Sequence, residues 1–137
     1  MMSRMLVAVD GSEHADKAFE FALYLAEKTG ANLLILHVFE ELGNIGYSIT
    51  KEIERNNIEM LQRYQAKAKK ALVHRKVDII ESRADDAAAE ILRTASNENI
   101  DTIVVGSRGI GKAKEFLLGS ISYKVSHYAN LPVIIVR

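Results

Sequence analysis

Strand-sized apolar runs recur along this chain with helically spaced apolar residues between them, and that alternation limits the fold more than any other feature. Met5–Val9 and Leu33–Phe39 are nearly continuous apolar segments, as in strands covered on both faces. Between them Ala15, Ala18, Phe19, Ala22, Leu25, Ala26 and Thr29 keep a helical period. Ser12 is placed to cap that helix, Glu13 and Asp16 lie near its positive end, and Gly30 is placed to terminate it. A strand–helix–strand unit is therefore complete by Phe39.

The pattern continues downstream. Glu40–Tyr47, with Gly43 and Gly46, reads as a loop. Ile49–Leu72 reads as a long amphipathic helix, with Ile49, Ile53, Met60, Leu61, Tyr64, Ala68 and Leu72 on or near one stripe and Asn56-Asn57 interrupting its middle. Val73–Ile80 alternates as a weaker third strand. Asp85 or Asp86 starts the next helix, whose apolar face is Ala88, Ile91, Leu92 and Ala95 and which ends at Asn97–Asn99. Thr102–Val105 is a strand, Ser120–Tyr128 a helix with Ile121, Val125 and Tyr128 inward, Asn130-Leu131-Pro132 a turn and Val133–Val136 a last strand. Strands separated by helices predict an α/β fold with a parallel sheet, here five strands and four helices in a single domain spanning residues 1–137.

Composition removes several function classes. The chain has no cysteine, which excludes disulfides, thiolate catalysis and cysteine-ligated metals. Lys plus Arg equals Asp plus Glu at 18 each, which argues against a dedicated nucleic-acid surface. The longest apolar runs are only strand-sized, so no membrane span or secretory peptide is expected, and a cytoplasmic location is the default reading. His14, His37, His74 and His127 show no metal-ligand spacing and form no triad with a Ser and an Asp, so no catalytic residue is assigned. His37, inside an apolar run, is expected to be hydrogen-bonded and partly buried.

Chemistry concentrates in Ile100–Ser120, where the strand Thr102–Val105 runs into glycines and cationic side chains. Gly106, Gly109, Gly111 and Gly119 allow backbone amides to converge on an anion, so a phosphate site is the first hypothesis. Gly106 to Ala113 nearly matches the phosphate loop GxxxxGK[ST], but Ala113 stands where a magnesium-bound hydroxyl is required. No GxGxxG follows the first strand. Ligands of parallel α/β sheets bind beyond the carboxyl ends of strands where strand order reverses, which joins Asp10 to Gly106 across the chain. Asp10 either accepts hydrogen bonds from a ribose or base, helps hold a metal ion through water, or caps the Gly11-Ser12 turn. Ser120 offers a hydroxyl and a backbone N–H to an anion, or is a plain cap. Arg108, Lys112 and Lys114 either neutralise phosphates or are solvated charge. Val38 is an apolar wall for a base or simply core, and alternation places Phe39 on the opposite face.

Gly106, two residues, Gly109, nine residues, then Gly119-Ser120 form a longer pattern. With the opening Val-Ala-Val-Asp-Gly-Ser and the closing Asn-Leu-Pro-Val-Ile-Ile-Val-Arg, the chain resembles the nucleotide-binding branch of the universal stress protein family over its whole length. The resemblance implies a three-layer doubly wound sandwich of sheet order 3-2-1-4-5, an ATP site (AMP or ADP as alternatives, with Mg2+ or Mn2+), and a homodimer joined through Val133–Val136. It places Asp10 beside the base or ribose and as the metal position, and Val38 against adenine. Gly106 and Gly109 fall at the ribose-phosphate region, and Gly119 with Ser120 at the phosphates. The set it implies is completed by Ala8, Val9, Ser107, Arg108, Gly111, Lys112 and Ile121. One departure is Arg83-Ala84-Asp85-Asp86, where the family usually has a Gly-Asp or Gly-Asn pair and a small residue. The role implied is a stress-associated, nucleotide-responsive regulator with an unknown protein partner and at most slow hydrolysis. The rival reading is a dimeric interaction module whose glycine loop is structural.

Overall fold

In the computed structural model, which describes residues 2–40, 47–108 and 118–137, β1 (Arg4–Ala8) is the middle strand of a parallel sheet. It pairs on one side with β2 (Asn32–Glu40), which pairs with β3 (Val77–Ala84), and on the other with β4 (Thr102–Gly106), which pairs with β5 (Val133–Val136). The order is β3-β2-β1-β4-β5. Helices α1 (Glu13–Thr29) and α2 (Tyr47–Ala71) cover one face, and α3 (Ala87–Asn97) and α4 (Ser120–Tyr128) the other. Among the described residues this is the five-stranded, four-helix doubly wound sandwich expected, in the expected order.

Strand alternation makes the two cores. Met5, Val7, Leu33, Ile35 and Val104 meet Ala18, Phe19, Ala22 and Ala26 of α1 and Leu61 and Ala68 of α2. The intervening Leu6, Leu34, Leu36, Ile103 and Val105 meet Ala88, Ile91 and Ala95 of α3 and Val125 of α4. Because β1 and β4 are covered on both faces, their near-continuous apolar sequences are explained. Small residues on α1 and α3 let both helices lie close to the sheet.

Local chemistry sets the helix ends. Ser12 Oγ accepts from Ala15 N at 3.1 Å, and Gly30 closes α1 in the left-handed region with φ +79°, its N–H donating to Ala26 O. Asp86 caps α3 by accepting from Ala89 N at 3.2 Å. At the amino end of the sheet Asp101 Oδ2 accepts from Ser3 N (2.7 Å), Ser3 Oγ (2.8 Å) and Arg4 N (3.1 Å). Arg4 Nε donates to Glu98 O at 2.8 Å, and Lys76 N donates to Asn32 Oδ1 at 2.9 Å.

Three expectations are corrected. The third strand begins at Val77, not Val73: Leu72 N still bonds Ala68 O, Arg75 N turns back to Leu72 O, and Val73 is 74% exposed. The alternation over residues 73–76 is a turn, not a strand. Ile49 and Tyr128, both expected inward, are 55% and 66% exposed because each lies near the end of its helix, beyond the covered stripe. Most of the expected loop Glu40–Tyr47 lies outside the described residues, with Glu40 itself in β2 and Tyr47 in α2.

Candidate functional site

Strand order reverses between β2 and β4 on either side of β1, and beyond the carboxyl ends of these strands opens a cleft of about 700 Å3. Its volume lies within the range of small-molecule sites. Ala8, Val9, Asp10, Val38, Gly106, Arg108, Gly119, Ser120 and Ile121 all line it, bringing together three segments far apart in the chain. Ser107 is buried beside the cleft and is not among its lining residues. Gly109, Gly111 and Lys112, together with Lys114, lie outside the described residues.

Each wall has a local cause. Ser12 N donates to Asp10 Oδ1 at 2.9 Å, so the aspartate holds the Gly11-Ser12 turn and lines the cleft at once. Gly11 occupies φ +81°, which explains a glycine directly after Asp10. Gly106 has a packing reason of its own: a Cβ there would sit 2.7 Å from His14 O, so the end of β4 touches the α1 backbone directly. Ser122 Oγ donates to Gly106 O from the α4 side. Ser107 N donates to Val136 O and Ser107 O accepts from Gly119 N, both at 2.8 Å, which ties residue 119 to the end of β4.

Helix ends give the cleft its polarity. α1 and α3 are capped by Ser12 and Asp86, and Glu40 Oε1 accepts from Ala87 N at 3.4 Å. The N-cap of α4 is Gly119, which brings no side chain, and Ser120 is the first helical residue, not the cap. The opening amides of α4 therefore lack a side-chain acceptor from their cap and border the cleft, an arrangement suited to an anion. Among the described residues no group of three or more His, Asp or Glu side chains is gathered for a metal ion.

The opposite end is apolar with polar insertions. His37, Val38, Phe39 and Glu40 of β2 and Ile53 and Asn57 of α2 line it. Val38 and Phe39 both contribute, from opposite faces as alternation requires, because β2 runs on past the end of β1 and both its faces border the opening. His37 is buried and its Nδ1 donates to Val9 O at 2.7 Å; the carbonyl only accepts, which fixes that nitrogen as protonated. Glu81, the register partner of His37, has its carboxyl raised above the ordinary range by burial, partly offset by His37. The departure at residues 83–86 is structural in part: Arg83 pairs with Glu54 of α2 at 2.7 Å, and Asp86 caps α3. Ile53 and Asn57 carried no sequence signal for this wall beyond the break Asn57 makes in the stripe of α2, because the wall a helix faces is set by its packing.

The profile of the Universal stress protein family matches residues 1–137. The chain belongs to the universal stress protein family. Universal stress protein YxiE of Bacillus subtilis is 38% identical over 151 residues, covering all of both chains. The solved structure of MJ0577, a universal stress protein of Methanocaldococcus jannaschii, superposes with a TM-score of 0.78 at 28% identity, over 99% of this chain and 96% of that one. A universal stress protein from Archaeoglobus fulgidus, solved in complex with dAMP, shares the fold at a TM-score of 0.72 and 22% identity, over 100% of this chain and 98% of that one. The α/β frame of this universal stress protein is thus shared with its archaeal relatives of solved structure.

Proposed function

We propose that this universal stress protein binds an adenine nucleotide, ATP first and AMP or ADP as alternatives, and acts as a nucleotide-responsive regulatory homodimer with at most slow hydrolysis assisted by Mg2+ or Mn2+. The observation that carries the reading is the convergence of Asp10, the end of β4 and the start of α4 on one cleft. One end of that cleft is apolar, as a base requires, and the other presents helix amides, as phosphates require. The dAMP complex of the Archaeoglobus relative lends support at the level of ligand class. The dimer reading rests on β5, an edge strand whose four residues are all only partly buried, open to pairing with a second chain. That same edge favours the second reading, a dimeric interaction module that needs no nucleotide.

Denaturing the purified protein and identifying what it releases by mass spectrometry separates the two. An adenine nucleotide in the extract, or ATP binding by titration calorimetry, is expected. An empty extract together with no ATP heat would leave the interaction module.

A further inference from the structure

Among the described residues four buried side-chain atoms lack a hydrogen-bond partner: His14 Nδ1, Asn57 Nδ2, Arg75 Nε and Glu81 Oε1. Of these four side chains, Asn57 is the one that lines the cleft, at its apolar end beside Ile53, Val38 and Phe39. A buried amide N–H without an acceptor costs free energy in the empty protein, and a ligand that supplies the acceptor recovers it. The other groups on this wall do not supply it: the Nδ1 hydrogen of His37 is committed to Val9 O, and Glu40 reaches the start of α3. Glu81 projects from β3 beside Asn57, close enough for the amide, as a donor, to lower its carboxyl, yet Nδ2 and Oε1 complete no well-formed hydrogen bond.

We propose that Asn57 is a specificity-determining residue that reads the edge of an adenine base, its Nδ2–H donating to a ring nitrogen while its Oδ1 accepts from the exocyclic amine. The inference rests on the nucleotide reading above and names what that reading leaves open, the choice of base. A carboxamide matches adenine because it sets a donor beside an acceptor, complementary to the ring nitrogen and amine of that base. Hypoxanthine and guanine reverse the order with a carbonyl and a protonated ring nitrogen, so an amide free to flip would accept them as well. Glu81 acts as a positioning residue against that flip. Its carboxylate offers acceptors only, so an amide turned with Oδ1 toward it would set oxygen against oxygen, whereas the outer N–H of Nδ2 faces it without penalty.

Titration calorimetry with ATP and inosine triphosphate, which differ at the amine and its neighbouring nitrogen, tests both roles on the full chain. The wild type is expected to bind ATP at least about tenfold tighter than inosine triphosphate. Asn57→Leu should lose about tenfold to a hundredfold in ATP affinity, bringing the ratio toward one. Glu81→Gln, which restores freedom to flip, should lower the ratio of ATP to inosine triphosphate affinity, chiefly by raising the affinity for inosine triphosphate. A wild-type ratio near one, or an unchanged ratio in an Asn57→Leu protein that melts like the wild type, overturns the proposal, since Asn57 would then merely hold water. If Asn57→Leu does not fold, purine riboside triphosphate on the wild type decides: it keeps the ring nitrogens without the amine, so weaker binding supports the proposal and equal binding overturns it. Wild-type protein that binds no nucleotide at all fails the nucleotide reading itself, a result distinct from binding without discrimination.

Discussion

The two ends of the one parallel sheet are built to opposite rules. At the amino end polar groups are matched: Asp101 draws the chain start to the α3–β4 connection through Ser3 and Arg4, Arg4 bonds Glu98, and Asn32 bonds Lys76. At the carboxyl end lie the cleft and three of the four unpartnered buried atoms found among the described residues, on His14, Asn57 and Glu81; the fourth, on Arg75, is at the amino end. The difference teaches where each task resides. Matched pairs tie the strands at the amino end apart from Arg75 Nε, and at the other end the unpartnered amide of Asn57 borders the cleft.

The largest effect should follow from loading the open end with bulk. Gly119→Val sets a branched side chain at the mouth of α4, in an extended conformation that valine adopts readily, and should cost at least about a hundredfold in ATP affinity, or about 2.7 kcal/mol. Its melting temperature should stay close to that of the wild type; unaltered ATP affinity in that variant would remove the phosphate contact from the site.

Removing the staple at the closed end should do the reverse. Asp101→Ala strips the acceptor of three hydrogen bonds from Ser3 and Arg4 and should lower stability by about 2 kcal/mol, read by urea unfolding, with nucleotide affinity untouched. The pH dependence has a defined sign. Burial pushes the Asp101 carboxyl up, but the hydrogen bonds from Ser3, Arg4 and Thr102 outweigh it and hold it below the ordinary aspartate range. Its contribution is therefore present above that range and drains as the pH falls through the folded value, and Asp101→Ala should flatten this acid limb. An acid limb as steep as in the wild type would show that Asp101 is not its source.

The smallest effect is expected at Glu81. Burial raises its carboxyl, so its contribution runs the other way: complete below the ordinary glutamate range and lost as the pH rises through the folded value. Glu81→Gln should stabilise the protein at neutral pH by under about 1 kcal/mol, since the side chain retains solvent access. Destabilisation at neutral pH would instead make Glu81 part of the matched polar framework and blur the contrast between the two ends.

The sandwich was legible because period and composition agree: both strands that flank the switch point are apolar on two faces, and Ser12 and Gly30 mark α1 by cap chemistry alone. The link between Asp10 and Gly106 was also legible, since parallel topology brings strand carboxyl ends together. What failed was local ambiguity. Val73, Arg75 and Val77 alternate like a strand, but helix α2 needs those first residues to turn, and nothing in the alternation says so. The α2 wall was illegible for another reason. Whether Asn57 faces water or the cleft depends on how far β2 outruns β1, a relation between strands that no single segment encodes.

The bare contact between Gly106 and His14 carries one more consequence. Where two main chains touch with no side chain between them, no rotamer can absorb a change, and the tilt of α1 is locked to the last residue of β4. Sequence drift on that flank must preserve the spacing or lose the cleft's shape, which leaves the α2 flank, furnished with adjustable side chains, as the place where the lining can change without moving the frame.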